Sequence, residues 1–180
     1  LNENVTSWHC LEPDSRLCKG ARQNLKDPRC HLHQITLSEF NKSSCANSIV
    51  YLDVLEHIAD DRAELETAYQ SLVPGGHLIV LAPAHNLLFS QFDTAVGHHR
   101  RYNRASLSAV APKDFKRLSL RYLDSIGLFA SLANKLVLKQ GEPGAKQIRI
   151  WDRYMVTTSR IIDPLSGFRF GKSLLGVWQK

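Results

Sequence analysis

Apolar residues fall along this chain in short blocks whose period switches between two and about 3.6, the marks of strand and helix respectively. Residues 5–11 (VTSWHCL) read as a short strand. Pro13 and Asp14 follow, and Asp14 is a helix cap for a segment with Leu17, Cys18, Ala21 and Leu25 on one side. Asp27-Pro28 ends that helix, and residues 30–37 (CHLHQITL) alternate as a second strand. After the polar stretch NKSSCAN, residues 48–52 form a third strand, continuous enough to be buried on both faces. Residues 60–73 give the clearest helix: Asp61 and Glu64 make a capping pattern, and Leu65, Ala68, Tyr69, Leu72 and Val73 form one stripe. Pro74-Gly75-Gly76 turns the chain into a fourth strand, residues 77–81, which Pro83 ends.

Residues 84–104 show no period, and an irregular segment of that length after a strand is usually functional. Residues 115–123 alternate as another strand, and residues 124–138 are strongly apolar and helical. KQGEPGAK is a loop, a helix is expected over 151–162, and residues 173–178 (SLLGVW) form a last strand. Strand and helix alternate through the first half, which predicts an α/β fold with a mostly parallel sheet in a single domain.

Composition adds bounds. Apolar content of 43% and charged content of 22% are ordinary for a globular chain. The net charge of +6 permits acidic partners without specifying any. No apolar run approaches the roughly 18 residues of a membrane-spanning helix. The four cysteines include no CxxC pair, so no disulfide framework and no metal centre is expected, and the compartment reads as reducing, hence cytoplasmic. The chain begins at Leu1 and its only methionine is Met155, which suggests a fragment.

Ligands of open parallel sheets bind at the carboxyl ends of the strands. The residues there are Glu12, then Gln34 to Thr36, then Asp53 to His57, then Ala82 to Ala84. A carboxylate such as Glu12 can hold the cis hydroxyls of a ribose, or it can simply cap a loop.

LEPD, YLDVLEHIADDRAEL, LVPGGHLIVLAPA and FDTAVGHHRRYNRASL, in this order and spacing, resemble a class I S-adenosylmethionine-dependent methyltransferase of the small-molecule type with a VLEH motif. The likeness covers roughly residues 5–110, and GKSLLGVWQK resembles the last strand of the same group. It implies a Rossmann-like, seven-stranded sheet with a C-terminal antiparallel hairpin formed by residues 115–123 and 173–178. It implies S-adenosylmethionine as cofactor, with Glu12 on the ribose, Gln34, Ile35 and Thr36 near the adenine, and Asp53 and Val54 on the methionine side. His57 and His98 are the candidate bases, and residues 84–104 form an acceptor-side lid on which His99, Arg100, Arg101 and Tyr102 are candidate acceptor contacts. One departure stands out. The ten glycines include no GxG, so the family's glycine-rich loop and the strand before it are expected ahead of Leu1.

Methyl transfer is an in-line displacement, so the protein mainly aligns the acceptor and takes a proton where one must leave. Arg100, Arg101 and Arg104 suit an anionic acceptor, or one of them pins the lid to Asp93 or Glu56. The apolar helix over 124–138 is core, or covers an amphiphilic acceptor, or touches a membrane surface. No wider basic-aromatic surface supports a nucleic-acid partner. A nucleotide-dependent oxidoreductase would share Glu12 and the sheet but gives no reason for DVLEHI followed by PGG. A catalytically inactive methyltransferase-like fragment or interaction module remains the alternative.

Overall fold

The structure is a computed structural model that describes residues 3–40, 44–133 and 155–180. The chain divides into two compact units, Leu1–Lys42 and Ser43–Lys180.

The N-terminal unit holds β1 (Trp8–Leu11), α1 (Ser15–Asn24), β2 (Cys30–His33) and α2 (Leu37–Phe40). β1 and β2 are parallel, with Trp8 opposite Cys30 and Leu11 opposite His33. Asp14 caps α1 as expected, its carboxylate accepting from the Arg16 and Leu17 N–H groups at 2.8 and 2.9 Å. The second strand is shorter than its alternation predicts. It stops at His33 because Glu39 accepts hydrogen bonds from the Thr36 N–H and hydroxyl, at 2.7 and 2.8 Å, and so starts a helical turn instead.

The C-terminal unit holds β3 (Ala46–Leu52), α3 (Asp61–Ser71), β4 (Leu72–Pro83), α4 (Gln91–Ala95), α5 (Arg104–Val110), β5 (Lys116–Leu123), α6 (Ser125–Ala133), α7 (Val156–Leu165) and β6 (Ser173–Gln179). Its sheet runs in the order β3-β4-β6-β5. β3 is parallel to β4, and β6 lies antiparallel to both β4 and β5, the expected antiparallel pair. β3 is not buried on both faces: among the described residues it is the sheet's edge, and Leu52 is 57% exposed.

Leu65, Ala68 and Leu72 pack α3 and the start of β4 into the core with no exposed surface. The cap of α3 is Asp60, which accepts from the Ala63 N–H at 3.0 Å, rather than Asp61. Asp61 is turned inward to other work. β6 brings Trp178 into the core, and the close approach of its indole leaves no room for a side chain at Gly176: a Cβ there would stand 2.1 Å from the ring. The described parts of the two expected C-terminal helices are α6 and α7; the remainder of those expectations, and the loop KQGEPGAK, lie outside the described residues.

α7 holds the N-terminus of α6. Asp163 accepts from the N–H groups of Asp124 and Ser125 at 2.8 and 3.0 Å, and the Ser159 hydroxyl accepts from the Ile126 N–H at 3.1 Å. A carboxylate there satisfies donors that a helix leaves open and complements its dipole. Asp163→Ala is therefore expected to lower stability by about 2 kcal/mol, read from the urea midpoint. A change within experimental error would show that α6 is held by its apolar packing alone.

Candidate functional site

The C-terminal ends of β3 and β4 converge with the segment that follows β4. Asp53 continues the β3–β4 ladder by one bond, its N–H donating to the Leu81 carbonyl at 2.9 Å. It then adopts φ 51°, a left-handed conformation that Asp tolerates better than most residues. That turn throws the chain off the sheet edge into a single 3-10 turn, Leu55–His57. Leu55 and Glu56 point inward and are fully buried, while His57 faces out.

The segment over residues 84–104 is well built. The Tyr102 N–H donates to the Pro83 carbonyl, and the His85 N–H donates to the Tyr102 carbonyl, so the segment is tied at both ends to β4. Between these ties α4 carries a capping box, in which Asp93 accepts from the Ser90 N–H at 2.9 Å. The His99 N–H donates to the Glu56 carbonyl at 2.8 Å, which joins the segment to the Leu55–His57 turn.

Asp93 is the centre of this arrangement and is fully buried. Arg101 approaches it as a fork, Nε to Oδ1 at 2.8 Å and Nη2 to Oδ2 at 3.0 Å. His98 Nδ1 lies 2.8 Å from Oδ1. Burial works against the Asp93 anion, but the bonds from Arg101 and His98 outweigh it and hold the carboxyl at about 2. An ionised Asp93 accepts from His98 Nδ1, which turns Nε2 away from it toward Glu56.

That Nε2 faces Glu56 at 3.8 Å, too far for a hydrogen bond. Neither carboxylate oxygen of Glu56 has a hydrogen-bond partner, and both are buried. Burial pushes the Glu56 carboxyl up to about 7. The His57 ring packs edge-on against His98, centroids 4.6 Å apart. Glu56, His57 and His98 thus each present a donor atom, all within 4.8 Å of one another.

The other candidate residues divide clearly. Arg100 reaches the Ala59 carbonyl and pairs with Asp61 at 2.6 Å, and the buried Tyr102 hydroxyl donates to the same Asp61 at 2.7 Å. The guanidinium and phenol groups expected at an acceptor therefore have partners inside the chain. Asp53 and Val54 lead into the turn that carries His57, whose N–H donates to the Val54 carbonyl at 3.0 Å and whose ring packs against His98. In the N-terminal unit, Glu12 sits at the end of β1 and accepts from the Asp14 N–H at 2.9 Å. Gln34 to Thr36 follow β2, with Gln34 exposed and Thr36 engaged by Glu39. His9 and His33 there face each other, Nδ1 to Nε2 at 2.9 Å.

The Asp93–His98 pair escapes the sequence reading, which takes His98 as a lone base. The signal was present: Ser90 and Asp93 stand in capping-box spacing, which places Asp93 in a first helical turn just before GHHRR.

No family model matches the chain, and no curated protein matches it. Solved structures do. A S-adenosylmethionine-dependent methyltransferase from Mesorhizobium loti superposes with a TM-score of 0.61 at 13% identity, over 97% of this chain and 81% of that one. Haemonchus contortus phosphoethanolamine N-methyltransferase 2, solved with S-adenosyl-L-methionine, gives 0.62 at 15% identity, over 96% of this chain and 43% of that one. The [4+2]-cyclase SpnF gives 0.61 at 15% identity, over 99% and 67%. At such identities the likeness is one of fold, and the inclusion of a cyclase shows that this fold alone does not name a reaction.

Proposed function

We propose that this chain, which has the fold of class I S-adenosylmethionine-dependent methyltransferases, transfers a methyl group from S-adenosylmethionine to a small-molecule acceptor by in-line displacement. The observation that carries the reading is the left-handed turn at Asp53, which aims Asp53, Val54 and His57 off the carboxyl end of a parallel strand, the end where ligands of such sheets sit. Asp53 and Val54 face the methionine end of the cofactor. The resemblance to the family assigns the ribose hydroxyls to Glu12 and the adenine side to Gln34, Ile35 and Thr36. The cofactor is itself the leaving group, so the protein's task is alignment plus removal of a proton where the acceptor has one. His98 suits that task because its Nδ1 is held by Asp93 and its Nε2 is turned away from that bond, and His57 stands beside it.

The pairing of Arg100 with Asp61 and of Arg101 with Asp93 favours the pin over the anion clamp. An acceptor contact is better assigned to His57 and His99, both nearer the outer surface. No helix among the described residues is long and apolar enough to cross a membrane.

The glycine-rich loop is proposed to precede Leu1. Two facts support this: no GxG occurs among the ten glycines, and β3 is the terminal strand of its sheet among the described residues. Open edges of parallel sheets carry unpaired backbone groups that a further strand would satisfy. Calorimetric titration of S-adenosylhomocysteine into this chain, and into one extended by the in-frame upstream codons, tests the reading. Weak binding here and micromolar binding by the longer chain are expected. Equal, micromolar binding by both would contradict the missing loop; no binding by either would contradict the cofactor.

A further inference from the structure

We propose that Glu56, His57 and His98 form a binding site for one divalent first-row transition-metal ion. The first observation is the Glu56 carboxylate, fully buried with both oxygens unpartnered. Leaving such a group unsatisfied is costly, and protonation does not cure it, because the buried O–H and carbonyl oxygen would still lack partners. Coordination satisfies the carboxylate outright.

The second observation is the position of the two imidazoles. His98 Nε2 stands 3.8 Å from Glu56 Oε1, and the His57 donor lies within 4.8 Å of both. At tetrahedral angles an ion about 2.0–2.2 Å from each donor separates pairs of them by about 3.3–3.6 Å. The Glu56–His98 pair stands within a few tenths of an ångström of this, and the exposed His57 ring has to draw in from within 4.8 Å to complete the set.

The third observation is behind His98. Its Nδ1 bonds to buried Asp93, which is itself fixed by the Arg101 fork. Metal-ligating histidines are commonly oriented in this way, the far ring nitrogen held by a carboxylate so that the near one presents its lone pair.

Two imidazoles and one carboxylate suit zinc, cobalt or ferrous iron rather than magnesium or calcium. Three protein ligands leave at least one coordination position open, as in catalytic rather than structural sites. Water or an acceptor oxygen would take it; with the ion bound, His98 Nε2 would be a ligand and not a base, the ion would lower the pKa of a bound acceptor hydroxyl, and its proton would pass to solvent water. The site itself stands on its own geometry; only its placement beside the acceptor rests on the methyl-transfer reading. The absence of a metal-ligand spacing in the sequence is no obstacle, since His98 reaches the other two through the fold.

Cobalt(II) titrated alone into the full 180-residue chain tests this, with no cofactor present. One equivalent is expected to bind with visible bands of nitrogen and oxygen ligation and no thiolate charge-transfer band. Glu56→Gln and His57→Ala are each expected to weaken it by at least about tenfold, and His9→Ala to leave it unchanged. His57 is exposed, so its variant reports on the site even where Glu56→Gln perturbs folding. Unchanged affinity in His57→Ala, a thiolate spectrum, or loss of binding in His9→Ala would overturn the proposal. Binding of cobalt by this chain, with no S-adenosylhomocysteine bound even by the chain extended upstream, would sink the methyl-transfer reading and leave the metal site intact.

Discussion

Asp93→Ala is expected to cost about 3–5 kcal/mol of stability, the range for stripping one partner from a buried ion pair. The size follows from what the change strands. Arg101 keeps a delocalised charge with only 9% of its side chain exposed, and its fork loses both acceptors. His98 loses the partner of Nδ1, and Ser90 loses the carboxylate that closes the capping box of α4. Hydrogen bonds to a charged group are worth more than neutral ones, and here several end on one carboxylate. The double variant Asp93→Ala/Arg101→Met is expected to recover part of the loss, because it leaves no buried charge unpaired. Urea denaturation followed by far-UV circular dichroism gives both numbers. A loss below about 1 kcal/mol, or a double variant worse than the sum of the singles, would show that the pair is not the pin of this segment.

Trp178→Ala is expected to be comparably severe, about 3–5 kcal/mol, as for large aromatic residues removed from a core. Trp178 is 2% exposed and lies on β6, between β4 and β5. It is opposite Leu78 on one side and Arg117 on the other. Gly176 is vacant of side chain beneath the indole, so the void would be lined on one side by bare backbone and would collapse poorly. Trp178→Phe should retain more than half of the stability. Equal losses for the two substitutions would mean that packing of the indole is not the source of the effect.

What the sequence disclosed follows the physics of each element. Buried strands and capped helices carry their signals locally, so β4, β6 and α3 are visible in the apolar pattern. The second strand misleads because alternation in QITL competes with Glu39, three residues beyond Thr36, and the local hydrogen bonds prevail. β3 reads as buried on both faces from its continuous IVYL, yet it lies at the sheet edge among the described residues. Apolar content records how a strand can be covered, not what covers it in a given span of chain.

The candidate site was half legible. Asp53, Glu56 and His57 are neighbours in sequence, so one turn delivers them together. His98 joins them from 41 positions beyond His57, which no spacing rule shows. The arginines were ambiguous for a related reason: a guanidinium for an acceptor and a guanidinium for an internal carboxylate look alike until Asp61 and Asp93 are seen facing them.

The central claim is that the turn after β3 receives the methionine end of S-adenosylmethionine. Two-dimensional amide NMR of this chain, titrated to millimolar S-adenosylhomocysteine, tests it even where binding is weak. The account predicts that the amides of Asp53, Val54 and the Leu55–His57 turn shift, and that NAD at the same concentration leaves them in place. Unmoved amides at Asp53 and Val54, or an equal response to NAD, would contradict it.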